Sequence, residues 1–258
     1  MLRRASAVTV VSRELSEWAV RAGAVAERVH VIPNGADPAA YAGVDRQAAR
    51  EELGLAGFVV GFVGSLKQWH GVDVLLEAFA RLRAEHDDAR LLVVGTGPEE
   101  EVLKKQATAL GLNGTVRFTG AVPHEQVPTL VRAMDLAVAP FRRQEHFYFS
   151  PIKLFEYMMG GVCIAASNLG QIAEVLDDGR TGVLVEPDDP VALGGVLKRL
   201  YRDAEARAAL GRNARAVALA RHTWQQTAET LGRVLEACRR GGERAAKADS
   251  VSAAGGGC

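Results

Sequence analysis

The segment Phe58-Val-Val-Gly-Phe-Val-Gly-Ser65 decides the fold of this chain. Its first six residues are almost entirely apolar, as in a strand buried on both faces of a sheet, and Gly64-Ser65 ends it with a turn. A helix is predicted next, over residues 73–82, because leucine and phenylalanine recur there on one helical face. A buried strand followed by a helix is the repeating unit of a parallel sheet.

The same alternation continues through most of the chain. Further strands are predicted at residues 91–94, 116–118, 136–139, 162–166 and 182–185, with helices at 99–110, 126–134, 151–161 and 171–176. This pattern predicts the α/β class, with a Rossmann-like parallel sheet and helices on both faces. Ligands of such sheets bind on the loops at the carboxyl ends of the strands.

The segments on either side of this alternation suggest three regions. Strands are predicted at residues 7–11 and 29–32, and Ser12 is predicted to cap the helix between them. The linker Ile32-Pro-Asn-Gly-Ala-Asp37 follows, and about 35 residues are too few for an independent domain. Two polar-faced helices and a last helix to about residue 239 close the fold. We therefore predict part of another domain with a linker at 1–42, the main domain at 43–239 and a loose tail at 240–258.

Composition excludes several classes of protein. The 258 residues are 48% hydrophobic, and 31 Lys and Arg balance 31 Asp and Glu, which argues against a general nucleic-acid or membrane-surface binder. No apolar run approaches the ~18 residues of a transmembrane helix. Three cysteines form no disulfide framework, so a cytoplasmic protein is expected, with peripheral contact to the inner membrane face left open. P-loop, dinucleotide-binding and zinc-binding spacings are absent from the sequence.

The segment Ser150-Pro-Ile-Lys-Leu-Phe-Glu-Tyr-Met-Met-Gly-Gly161 is the strongest functional candidate. Ser150 is a suitable N-cap and Pro151 a suitable first helical residue. The amides of the first turn would then be free to bind phosphate, and they belong to Ile152, Lys153 and Leu154. Glu156, one turn further on, could reach back over the tip and accept the paired hydroxyls of a sugar. An ordinary buried helix start is the alternative.

Two loops at predicted strand ends are further candidates. In the first, Gly64 and Ser65 would let the backbone approach a phosphate, and Lys67 could supply a positive charge. His70 is the only histidine placed in such a loop. The alternative is a surface loop with an incidental lysine. The second loop, residues 119–123, could seat a flat base against its backbone.

Taken together, these segments resemble glycosyltransferase family 4, whose members are retaining enzymes of the GT-B fold. The resemblance covers about residues 30–238. The matching segments are Val31-Ile-Pro-Asn-Gly-Ala-Asp37, Phe62-Val-Gly-Ser-Leu-Lys-Gln-Trp-His-Gly71, Val94-Gly-Thr-Gly-Pro98, Val116-Arg-Phe-Thr-Gly120, the Ser150 to Gly161 segment, Gly179-Arg-Thr-Gly-Val-Leu-Val185 and His222-Thr-Trp224. Seven such segments in the same order are a specific signal.

The resemblance implies a donor-binding role. Enzymes of the family have two Rossmann-like domains, and the carboxy-terminal one, which this chain resembles, binds the nucleotide-sugar donor. Glu156 would hold the ribose hydroxyls, and the backbone near Val122 would meet the base. The diphosphate would be bound by the loop after the first strand and by the helix tip, that is by Gly64, Ser65, Lys67, His70, Ser150, Pro151, Ile152, Lys153 and Leu154. No cofactor or metal is expected, since the nucleotide sugar is a substrate.

The chain also departs from the family pattern. Tyr148 stands where the family often has the first of two glutamates, and Glu145 lies three residues earlier. Contact with the donor sugar would then fall to Tyr148, or to Glu145 if the loop delivers it there, and no catalytic residue is assigned. Ser65 and His70 stand where an Arg and a Lys are frequent, so Lys67 or the side chain of Lys153 would supply the charge.

Three functions follow as hypotheses. The first is the donor-binding half of a retaining glycosyltransferase, because the acceptor-binding domain is represented only by its last strands and helix. The second is a non-catalytic nucleotide-sugar-binding subunit that acts with a separate acceptor-domain partner chain. The third is an unrelated nicotinamide-dependent dehydrogenase, which the missing dinucleotide motif disfavours.

Overall fold

Strands and helices alternate along the chain in the computed structural model, which describes residues 2–254, and residues 241–254 by their backbone alone. The strands are β1 Val8–Val10, β2 Val29–Val31, β3 Phe58–Val63, β4 Ala89–Val94, β5 Val116–Phe118, β6 Leu136–Ala139, β7 Cys163–Ser167 and β8 Val183–Val185. The helices are α1 Arg13–Arg21, α2 Arg46–Leu53, α3 Val72–Arg83, α4 Glu100–Ala109, α5 Val127–Ala133, α6 Ile152–Gly160, α7 Gly170–Val175, α8 Pro190–Arg202, α9 Ala204–Arg221 and α10 Trp224–Ala254.

Six strands form one parallel sheet in the order β5-β4-β3-β6-β7-β8. Helices α3, α4 and α8 bury their apolar sides on one face, and α5, α6 and α9 cover the other. Every residue of β3 is buried, because this strand lies in the middle of the sheet with helices on both sides. The predicted α/β fold, a Rossmann-like parallel sheet covered on both faces, is confirmed.

The first strands form a small separate unit. β1 and β2 pair in parallel, and α1 packs on them over a core of only three buried residues, Val10, Ala19 and Ala24. The predicted cap is present, since the Ser12 hydroxyl accepts from the Leu15 amide at 3.2 Å. This unit buries little apolar surface of its own, so its attachment to the main sheet has to stabilise it.

The start of α10 holds the linker that connects this unit to the main sheet. The Ala36 amide donates to the His222 carbonyl at 3.0 Å, and the Trp224 amide donates to the Ala36 carbonyl at 3.2 Å. The Thr227 hydroxyl donates to the Pro33 carbonyl at 3.1 Å. The linker at 32–37 is therefore held by two backbone hydrogen bonds and one side-chain hydrogen bond to residues about 190 positions later.

Two elements differ from the sequence-based expectation. Helix α2 was not predicted, because it buries only Ala49 and carries almost no apolar periodicity; its start is set by Asp45, which accepts from the Ala48 amide. The expected helix end near residue 239 is also wrong, since α10 continues to Ala254 through residues rich in the strong helix formers Ala, Glu, Arg and Lys. Residues 255–258 of the predicted tail lie outside the described part, and the three predicted domain boundaries stay predictions.

Candidate functional site

A crevice opens at the carboxyl ends of β3 and β6, where the strand order reverses direction. These strands pair at only two positions, through Val60 and Gly61 of β3, whereas β3 and β4 pair along six residues. A gap at such a switch point is where open parallel sheets bind their ligands. Both predicted phosphate-binding segments, 64–71 and 150–154, follow these two strands.

Tyr157 of α6 fills the inner end of this gap. Its hydroxyl accepts from the Val63 amide at 2.7 Å and lies 3.5 Å from the Val138 carbonyl. The ring is fully buried, and burial raises the pKa of the phenol above its ordinary range, so it stays neutral. Through this hydroxyl α6 contacts both strands, which fixes its first turn at the carboxyl edge of the sheet.

The loop after β3 is held by the loop after β4. The amides of Gly64 and Leu66 donate to the carbonyls of Val94 and Thr96, both at 2.9 Å. A Cβ on Gly95 would overlap the Gly64 carbonyl oxygen, so only glycine allows this approach. The Gly95-Thr-Gly97 motif therefore supports the candidate phosphate loop by close packing.

His70 is part of the support of the same loop. Its Nδ1 donates to the Ser65 carbonyl, and its ring packs edge-on against Phe141 with 5.0 Å between centroids. Burial, assisted by nearby lysines, lowers the pKa of His70 to about 4, so the ring is neutral at pH 7. Lys67 is exposed, with its Nζ 4.8 Å from the centroid of the Trp69 ring. Of these two residues, only Lys67 offers a positive charge.

The start of α6 differs from the expected cap. The helix begins at Ile152, and Pro151, rather than Ser150, occupies the N-cap position without a side-chain hydrogen bond. The Ser150 hydroxyl accepts from the Asn34 amide at 3.0 Å, and the Asn34 side-chain amide donates to the Ser150 carbonyl at 2.8 Å. The prediction of a Ser150 cap is wrong because that hydroxyl instead accepts from Asn34, a linker residue far away in sequence. Ser150 thereby joins the linker to the tip.

The first turn of α6 offers two free amides rather than the three expected. The Leu154 amide donates to the Pro151 carbonyl at 3.0 Å, in a 3-10 bond that tightens the turn. Within the described residues, the amides of Ile152 and Lys153 have no protein acceptor. The Lys153 side chain is buried beneath the loop after β3. The tip remains uncapped by side chains, and its dipole favours an anion.

Glu156 lies in the wall of a cavity of about 470 Å³ that also includes Ile152 at the helix tip. The glutamate is 8% exposed, and its Oε1 lies 3.8 Å from His124 Nδ1. Burial raises the pKa of Glu156, while His124 and Lys153 act in the opposite direction. The carboxylate thus faces the cavity beside the free amides, rather than the hydrophobic core.

The remaining walls of the cavity come from the linker, from the segment before α5 and from the start of α10. They are formed by Ala36, Asp37, Ala40, Tyr41, His124, Glu125, Pro128 and Trp224. The Tyr41 hydroxyl is buried without a hydrogen-bond partner, and burial with the nearby Glu156 raises its pKa above the ordinary range. The sequence alone predicts no role for these residues, although two matching segments, 31–37 and 222–224, contain or border several of them. Val122 packs against the core beside this cavity and is not in its wall.

Glu145 and Tyr148 lie apart from this cavity. Glu145 is exposed, and Tyr148, 49% exposed, borders a second groove of about 300 Å³ with Trp18 of α1. The Ser12 hydroxyl donates to the Tyr148 carbonyl at 2.9 Å, which holds this segment against α1. The structure therefore does not bring either residue to Glu156, and their assignment to the donor sugar stays a prediction.

The described residues contain neither a metal-binding cluster nor a membrane-spanning helix. Among residues 2–240, whose side chains the structure describes, no group of three or more His, Cys, Asp or Glu side chains is arranged to hold a metal ion. Within the same range, no helix has the length and apolar character needed to cross a bilayer.

Comparison with known proteins identifies relatives that share this architecture. The profile of the family of glycosyl transferases group 1 matches residues 45–217. The D-inositol 3-phosphate glycosyltransferase of Corynebacterium jeikeium (strain K411) is 33% identical over 228 residues, which are 84% of this chain and 53% of that protein. The alpha-D-kanosaminyltransferase of Streptomyces kanamyceticus is 29% identical, over 89% of this chain and 60% of that protein.

A solved structure is similar over almost the whole chain. Alr3699/HepE of Anabaena in complex with UDP superimposes with a TM-score of 0.81 and 27% identity, covering 92% of this chain and 65% of that one. The same protein has also been solved with UDP-glucose. The chain spans about half the length of the curated relatives it matches.

Proposed function

The chain belongs to the glycosyl transferases of group 1, and on this basis we propose that it binds a nucleoside-diphosphate sugar in the crevice between β3 and β6 and takes part in transfer of the sugar to an acceptor. The observation that carries the proposal is the uncapped tip of α6 beside Glu156, at the edge of a cavity of about 470 Å³. The tip suits a diphosphate and the carboxylate suits two ribose hydroxyls. Retention of configuration is proposed from the resemblance to family 4.

The diphosphate is placed between the α6 tip and the loop after β3. The free amides of Ile152 and Lys153 supply hydrogen bonds, and the lysine side chains of this region supply the charge that His70, neutral at pH 7, cannot. No cofactor or metal ion enters the proposal, so excess EDTA is expected to leave nucleotide affinity unchanged. The three cysteines and balanced charge support a cytoplasmic location.

The ribose assignment is tested with Glu156→Gln. We expect wild-type protein to prefer UDP over 2′-deoxy-UDP, because a carboxylate accepts hydrogen bonds from both ribose hydroxyls. The variant should bind UDP about 1–3 kcal/mol more weakly and lose most of that preference. Isothermal titration calorimetry with both nucleotides measures the two effects.

The matched control is Glu101→Gln, which removes the same unit of charge from an exposed position on α4. It should leave both the affinity and the ribose preference as in the wild type, which separates the local contact from a change in net charge. An unaltered preference for UDP in the Glu156 variant would contradict the assignment of the ribose.

A second candidate is a nucleotide-sugar-binding subunit whose acceptor is held by a partner chain. It is favoured by Tyr148 in place of a glutamate. The genomic sequence upstream of the Met1 codon distinguishes the two. A strand-helix domain encoded in frame there favours one longer enzyme, and a separate acceptor-domain protein that co-purifies with this chain favours the subunit.

A further inference from the structure

Lys153, the second residue of α6, has a buried amino group without a partner. The residue is 8% exposed, and no hydrogen bond to Nζ is present among the described residues. The Nζ lies 4.0 Å from the centroid of Phe62 and 5.0 Å from that of Phe141. A Cβ added to Gly64 would lie only 2.5 Å from this Nζ. The amine thus lies buried between the two segments that form the proposed diphosphate site.

The charged neighbours of this amine do not satisfy it. Glu156 on the same helix attracts it without a hydrogen bond, and His70 of the loop after β3 is close enough for its pKa to be lowered by this amine. On the segment after β6, Arg142 is paired with Asp73 and Asp188. Ring faces attract an ammonium, but they accept none of its three N–H groups as a phosphate oxygen would. Burial therefore dominates, and it lowers the pKa of Lys153 to about 7.

We propose that Lys153 is the cation of the diphosphate subsite and that it takes up one proton from solvent as the nucleotide sugar binds. The inference rests on the proposed function and adds a pH dependence to the same site. The neutral amine becomes an ammonium, no other bond is made or broken, and the proton comes from the buffer. The flexible four-carbon stem lets the amine turn toward the free amides at the tip.

The direction of the pH dependence follows from this proton. Below about pH 7 the amine is already protonated, so little uptake is expected. Above about pH 7 the bound diphosphate has to recruit the proton, so affinity falls as pH rises, by roughly tenfold between pH 7 and pH 8.5 if the bound lysine keeps a pKa near 10.

Glu156 and His70 cannot imitate this signal. Glu156 would release a proton on becoming a carboxylate, which is the opposite sign. His70, with a pKa of about 4, would need a rise of several units to accept a proton at pH 8. A diphosphate that carries a sugar has no terminal phosphate to titrate in this range. UDP-glucose is therefore a better probe than UDP.

The experiment is calorimetry of the full 258-residue chain with UDP-glucose at pH 8.0 in HEPES, tricine and Tris, whose ionisation enthalpies differ. If UDP-glucose does not bind, GDP-mannose and ADP-glucose replace it. We expect uptake of about 0.9 proton per sugar nucleotide, the fraction of lysine that is neutral at pH 8 with a pKa of about 7. Uptake should vanish at pH 5.5.

Three variants assign the proton. Lys153→Met should lose proton uptake and bind about 10- to 100-fold more weakly, with no pH dependence from pH 7 to 8.5. Lys153→Arg keeps a permanent charge, so it should bind without proton uptake. Lys67→Met should retain the uptake, whatever its effect on affinity, because its amine is exposed.

The outcomes separate the two proposals. Binding by the wild type without proton uptake at pH 8, or uptake that persists in Lys153→Met, overturns the role of Lys153 and leaves the proposed function standing. Failure of the wild type to bind any of the three sugar nucleotides overturns the proposed function, and the inference with it.

Discussion

At the scale of single residues, two basic side chains on either side of the crevice have different tasks. His70 is neutral at pH 7 and holds its own loop by donating to the Ser65 carbonyl. Lys153 is the only one of the two placed on the helix that presents free amides. From the sequence alone both are candidates for binding the diphosphate, because residue type does not reveal whether a side chain already hydrogen-bonds to a nearby backbone group. Burial and hydrogen bonding decide this.

The half-buried imidazole of His70 predicts a specific sensitivity to acid. A folded pKa of about 4 against an ordinary 6.5 means that the unfolded chain binds more protons between these values. Stability is therefore lost as pH falls from about 6.5 to about 4. His70→Asn, which keeps a donor but does not titrate, should lower this loss by about 1–2 kcal/mol, a figure reduced because the ring is partly exposed.

The check is urea denaturation of wild type and His70→Asn at several pH values from 7 to 4. His146→Asn is the control, since His146 is exposed and paired with Glu14. Parallel stability curves for the wild type and the His70 variant would show that burial of this ring does not penalise its charge.

At the scale of elements, the position of α6 depends on one hydroxyl. Tyr157 accepts from the Val63 amide, which β6 no longer pairs because the strands have separated. The helix that presents the free amides is thus attached to the sheet at the gap between the strand ends. The sequence predicted the helix and both strands, but an aromatic residue on a buried helix reads simply as core, so this contact was not predicted.

Tyr157→Phe tests this contact. The change removes only the hydroxyl and leaves a buried Val63 amide without an acceptor, so the free energy of unfolding should fall by about 1–3 kcal/mol. Tyr201→Phe is the matched control, because that hydroxyl donates to Asp88 at the surface and should cost less than 1 kcal/mol. Chemical denaturation monitored by circular dichroism gives both values. Equal losses in the two variants would mean that the Val63 amide finds another partner.

At the scale of the whole molecule, two units of different size are joined by the linker and α10. The main sheet has large cores on both faces, whereas the core of β1, β2 and α1 has three buried apolar residues. The walls of the candidate cavity come from the linker, the main domain and the start of α10. The cavity therefore exists only when these parts are assembled.

This difference in core size predicts two levels of protection from hydrogen exchange. Amides of β3, β4 and β6 should exchange through global unfolding, and those of β1 and β2 through a local opening of lower free energy, at least 10-fold faster. Native-state exchange followed by mass spectrometry resolves the peptides concerned. Similar protection for β1 and β3 would show that the small unit unfolds only with the main sheet.

The sequence by itself determined the sheet and where its ligand should bind. Apolar strands alternating with amphipathic helices specify a covered parallel sheet, since hydrophobic periodicity is a local property. The loops after β3 and β6 could be named for the same reason. Tertiary structure alone decided which groups in those loops are free, because hydrogen bonds between distant residues compete for them. The Asn34 amide donates to the Ser150 hydroxyl, and His70 donates to the Ser65 carbonyl. The Lys153 amine is left buried beside two rings with no acceptor.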